Sequence, residues 1–156
     1  MKRKILIGVA GFVLLAAVAG LAFVNHMQLR ASAPVFAQGH VAIQGYDPVA
    51  YFNQSKPVPG NAQFSHEWNG ATWQFANAEN LAAFRAEPER YAPQFGGYCA
   101  FAVANGYTAR TDPAAWHIED GKLYLNFDAA TQEKWLADRT KLIPAGHSNW
   151  PRVIQD

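Results

Sequence analysis

The sequence predicts a small α+β domain carried behind one apolar amino-terminal segment. Three observations point there: strand-like runs joined by Asn69-Gly70 and by Asp120-Gly121, side-chain caps at Asn77 and Asp128 that open helical runs, and no sign of the βαβ repeats of nucleotide-binding folds. At 156 residues the chain has the length of about one domain. Its composition, 50% hydrophobic and 13% aromatic, is too apolar for intrinsic disorder. The single cysteine excludes an internal disulfide, a CxxC redox pair and a four-thiolate zinc site within one chain, so a metal would have to rely on His, carboxylate or Tyr.

The elements follow in order. Residues 1–4 form a basic leader, Lys2-Arg3-Lys4, ahead of a 20-residue run without charge, Ile5 to Val24. At about 1.5 Å per residue that run spans the roughly 30 Å hydrocarbon core of a bilayer. It exceeds the apolar stretch of about 7 to 15 residues in cleaved signal peptides, which favours an uncleaved anchor over residues 5–24. The basic leader then predicts a cytoplasmic amino terminus and a periplasmic domain, with a single-pass protein of the bacterial inner membrane as the expected location. Cleavage after Ala33 or Ala37 is the alternative; it gives a secreted or periplasmic protein and exports the domain equally. Residues 25–38 read as a tether and 39–156 as the folded domain. That domain carries 9 basic and 12 acidic residues, so it lacks the basic footprint of a nucleic-acid binder. It also holds all 5 Trp, all 6 Tyr and 7 of the 10 Phe, which predicts a core of packed rings with a shallow ring-lined pocket.

Asp47-Pro48 reads as a cap and first-turn proline ahead of a short helical turn from Val49 to Phe52. Pro57, Pro59 and Gly60 mark a loop. Gln63 to Trp68 and Ala71 to Phe75 flank Asn69-Gly70 and form the first hairpin. Asn77 caps a helix from Ala78 to Ala86 that Pro88 stops or restarts. Asp112-Pro113 precedes a strand from Trp116 to Glu119, which Asp120-Gly121 turns into Lys122 to Phe127, the second hairpin. Asp128 caps a last helix to Lys141. The expected architecture is two antiparallel hairpins packed with three or four short helices.

Signatures of common enzyme classes are missing: GxGxxG, GxxxxGK[ST], GxSxG, HExxH, CxxC and the EF-hand loop do not occur. What stands out is Pro93-Gln94-Phe95-Gly96-Gly97-Tyr98-Cys99-Ala100, two glycines leading to a thiol at the start of a short helix. A helix amino terminus lowers a thiol pKa, and glycines allow a ligand to approach, so Cys99 is the first candidate site residue. A lone Cys beside Ala and Phe is more often a small buried hydrophobe. His66 and His117 lie one in each hairpin, and either could face Cys99; thiolate and imidazole suit copper or zinc. In the metal reading Cys99 and His66 are the ligands. Tyr98, Tyr46, Asp47, Tyr51 and His117 then complete the ligand wall.

Gly45-Tyr46-Asp47-Pro48-Val49-Ala50-Tyr51-Phe52, the stretch from Trp73-Gln74-Phe75 to Phe84, Pro88 through Ala100, and Leu123-Tyr124-Leu125-Asn126 together resemble the exported, membrane-anchored bacterial YHS domain-containing proteins. The resemblance spans nearly all of residues 39 to 151. It implies a small α+β domain for which a metal-binding role is often supposed. In the wider YHS and TRASH-like group a strand ends in Phe-Cys and a second Cys follows four residues on. Here those positions are Ala76 and Asn80, and neither is a good ligand for a soft ion. Three functions follow: binding of a copper or zinc ion or small ligand near Cys99, a non-catalytic accessory or scaffold domain that binds another exported protein with Cys99 buried, and thiol-redox chemistry at a Cys99 of lowered pKa. The first two make the protein no enzyme.

Overall fold

The computed structural model describes residues 33–155; the apolar segment Ile5 to Val24 lies outside them. Among the described residues no helix is long and apolar enough to cross a membrane. The architecture is α+β, with one four-stranded sheet, one two-stranded sheet and, among the described residues, six α-helices.

The chain enters through β1 (Ala37–Gln38) and β2 (Val41–Ala42), a tight antiparallel pair. α1 (Ala50–Asn53) follows the Asp47 cap, whose carboxylate accepts from Val49 N. β3 (Asn61–Trp68) and β4 (Ala71–Phe75) form the expected hairpin. Asn69 and Gly70 both have positive φ, 51° and 80°, the pair of left-handed residues that a two-residue hairpin turn demands. Asp120 (50°) and Gly121 (71°) repeat that geometry between β5 (Asp112–Glu119) and β6 (Lys122–Asn126). The order in the larger sheet is β1-β2-β4-β3, and β2 joins β4 in parallel through Val41 and Thr72.

Asn77 caps α2 (Ala78–Ala86) by accepting from Asn80 N, and Asp128 caps α5 (Ala129–Ala137) by accepting from Thr131 N. Between them lie α3 (Pro88–Tyr91) and α4 (Ala100–Ala104). The expected final helix to Lys141 is corrected to two helices. Asp138 leaves the helical region at φ −120°, ψ 19°, and its carbonyl accepts from Lys141 N and Leu142 N to start α6 (Arg139–Val153). Glu87 likewise separates α2 from α3, because Pro88 disfavours helical geometry in the residue before it. These breaks raise the helix number above the expected three or four.

The core has two parts that share β6. Leu123 and Leu125 pack with Trp73, Phe75, Phe84 and Tyr51, whereas Tyr124 packs with Phe95, Val103 and Trp135. Successive strand residues point to opposite faces, so β6 is buried on both. Phe84 is the ring hub of the first part, with its centroid 5.2 Å from Trp73 and 5.1 Å from Phe75. Val35, ahead of the expected domain start, is buried in this first part. In the second, Gly146 lets α6 lie on Phe95: a Cβ there would stand 2.6 Å from the ring.

Candidate functional site

Cys99 caps the start of α4, and only 1% of its surface is exposed. Its backbone is held on both sides: the N–H donates to Ala109 O, the carbonyl accepts from Val103 N, and a bridge joins it to Leu125 on β6. Its Sγ faces Asn126 Oδ1 at 3.8 Å, a weak thiol contact, and the same oxygen accepts from Phe101 N at 3.2 Å. Burial pushes the thiol pKa up, and the N–H groups of Ala102, Phe127 and Phe101 only partly oppose it. The expected lowering at the helix start is therefore corrected. The helix end is present, but desolvation of a thiolate outweighs it.

The other candidates separate into distinct neighbourhoods. His66 is on β3, its ring 6.5 Å from that of Phe84. Tyr98 lies against Phe36 and Trp150, at 5.6 and 6.1 Å. His117 bonds Glu119 at 2.8 Å, and Arg139 reaches the same carboxylate oxygen at 3.0 Å. Those contacts hold the Glu119 carboxyl below its ordinary range, the His117 hydrogen bond most of all. Tyr51 donates to Pro113 O at 2.9 Å and is pushed far above the ordinary phenol range, by burial first and by Tyr46, Asp112 and Asp47 after it. Tyr46, Asp47 and Tyr51 thus form one group, Tyr98 and Cys99 adjoin in sequence, His66 lies against Phe84, and His117 pairs with Glu119.

Asp47 is fully buried, and its two oxygens accept from four donors. Oδ1 takes Val49 N at 2.8 Å and Ala50 N at 3.3 Å; Oδ2 takes Ala76 N at 2.8 Å and Asn80 Nδ2 at 2.6 Å. Asn80 in turn accepts from Asn53 Nδ2 at 2.9 Å. The metal implied by the resemblance does not fit these residues. Ala76 has no ligating side chain, and Asn80 turns its amide N–H to Asp47 Oδ2, the oxygen that also accepts from the Ala76 backbone N–H. Among the described residues no group of three or more His, Cys, Asp or Glu side chains could hold a metal ion.

The expected ring-lined pocket is present, away from the thiol. A cleft of about 300 Å³ is lined by Trp68, Trp73, Trp150, Pro34, Pro93 and Gly96. Gly96 has φ +60°, and a Cβ on it would stand 2.0 Å from Pro34 O, so only glycine lets the Pro34–Phe36 segment lie against it. Phe36 N donates to Gly96 O at 2.9 Å and fixes that contact. Trp68 and Asn69 come from the end of β3, and β3 is the outermost strand of its sheet. The sequence alone does not bring these residues together because they converge from four separate stretches. The one local signal was a tryptophan directly beside the Asn69-Gly70 turn.

The fold and the cleft describe a small α+β domain whose sole thiol is packed away and which carries an aromatic-lined concavity. The family model described as YHS domain matches residues 49–95. The match takes in α1, β3, β4, α2 and α3 and stops short of Cys99. No curated protein and no solved structure matches the chain.

Proposed function

We propose that this domain is a non-catalytic binding module that recognises an extended, proline-bearing segment of another exported protein, with Cys99 as a packing residue. The observation that carries the reading is the cleft: three indoles and two prolines surround a concavity at the end of an edge strand. Aromatic-lined grooves suit polyproline-type segments, whose preformed shape loses little entropy on binding. The outer edge of β3 has no strand partner among the described residues, so a segment laid along it would reach Trp68, the last residue of β3 and part of the cleft lining. The chain already places its own Pro34 against this cleft.

The competing reading, a copper or zinc ion on Cys99 and His66, would require the thiol to leave Asn126 and the interior. The burial that raises its pKa opposes the thiolate such an ion needs. A displayed library of random decapeptides selected on the full-length protein tests the proposal. Selected sequences should converge on proline-bearing segments whose affinity falls about thirtyfold in Trp150→Ala, the size of an interface hot spot of about 2 kcal/mol. Binders indifferent to both Trp150→Ala and Trp68→Ala would overturn it.

A further inference from the structure

The buried Asp47 carboxylate plays no part in the cleft, yet it gathers more of the chain than any other polar side chain described above. Its donors come from the first turn of α1, the end of β4 and the first turn of α2, and Asn80 extends the connection to Asn53 at the end of α1. Two of those donors, Ala76 N and Asn80 Nδ2, belong to the positions at which the wider group carries thiols. A pair of thiolates there would face each other as anions and call for a cation between them. In this chain the same two positions each turn an N–H toward one oxygen. Ala76 has no ligating side chain and contributes its backbone N–H, whereas the Asn80 side chain turns an amide N–H to the carboxylate that residue 47 supplies from within the chain.

We infer that the Asp47 carboxylate is a built-in substitute for a metal ion, tying β4, α1 and α2 together, and that this domain folds and stays folded without copper or zinc at that position. A carboxylate held by four N–H groups is a strong link because its bonds are charge-assisted. It is also indifferent to chelators. Removing one donor leaves an oxygen of a buried charge with one partner in place of two, which costs more than loss of a neutral hydrogen bond.

The test uses the full chain in detergent micelles, with tryptophan fluorescence following thermal unfolding and elemental analysis measuring bound metal. The protein as isolated should carry well under one copper or zinc per chain. Its Tm should move by no more than about 1 °C with EDTA, bathocuproine disulfonate or added Zn(II), whereas Asn80→Ala should lower it by roughly 5 °C and Asp47→Asn by about 10 °C or more. Should Asp47→Asn fail to fold, Asn80→Ala and the chelator series decide the matter. Stoichiometric metal whose removal lowers Tm by about 5 °C or more would overturn the inference, as would an Asn80→Ala protein that unfolds at the wild-type temperature.

Discussion

Maleimide labelling of Cys99 should be slower in the native protein than in the denatured chain by a factor of at least about 10³. The chain has one cysteine, so the reaction reports on this thiol alone. To reach solvent, residues 99–104 must part from β6, breaking the Leu125 bridge and the Asn126 contacts. A five-residue helix would ordinarily open cheaply, but the carboxyl end of α4 is held by α6: Asn149 Nδ2 donates to Val103 O at 3.2 Å and to Ala104 O at 2.9 Å. Opening therefore involves both helices and approaches the cost of global unfolding. Even the low end of natural stabilities, about 5 kcal/mol, corresponds at about 1.4 kcal/mol per tenfold to a protection of more than 10³. The assay is labelling at pH 7 followed by intact mass, across a urea series. Rates should rise together with the loss of tryptophan fluorescence signal. A native rate within about tenfold of the denatured one would refute the reasoning, because a thiol that opens so readily is not held by these contacts.

Further outcomes are expected. Asn77→Ala and Asp128→Ala should each destabilise the fold by about 1 kcal/mol, the usual value of a helix cap, as measured by chemical denaturation; no change would mean the caps are redundant. Gly96→Ala should displace the Pro34–Phe36 segment, since its Cβ has no room beside Pro34 O, and should be seen as loss of amide protection at Phe36 in hydrogen exchange. Stability should also fall at alkaline pH. The folded thiol pKa is raised, so its favourable contribution is present below the unfolded value of about 8.5 and is lost as pH climbs through the folded one. Cys99→Ala should flatten that alkaline loss, and an unchanged slope would assign it elsewhere.

Local chemistry made much of the fold legible. Asn69-Gly70 and Asp120-Gly121 encode their turns within two residues, and Asn77 and Asp128 encode their caps within four. Long-range geometry was not legible in the same way. The parallel pairing of Val41 with Thr72 crosses an intervening hairpin strand, and the break at Asp138 has no proline or glycine to announce it. Pro144 and Pro151 within α6 even argue locally against the helix that forms. The site divides in the same manner. A ring-rich domain implied a ring-lined pocket, but which rings meet depends on Pro34, Trp68 and Trp150 converging from distant stretches. Asp47 was visible as a cap for α1, whereas its second oxygen's partners lie about thirty residues on, at Ala76 and Asn80. Cys99 drew attention because its helix start is local, while its long-range neighbours are Ala109 and, on β6, Leu125 and Asn126.

Affinities measured side by side on the full chain and two variants test the central claim most directly. A selected proline-bearing decapeptide and copper(I) would each be titrated against the wild-type protein, Trp150→Ala and Cys99→Ala. The account predicts peptide binding that weakens about thirtyfold in Trp150→Ala and is unchanged in Cys99→Ala, with copper(I) affinity the same in all three. Tight copper(I) binding that is lost in Cys99→Ala, together with peptide binding indifferent to Trp150, would contradict it.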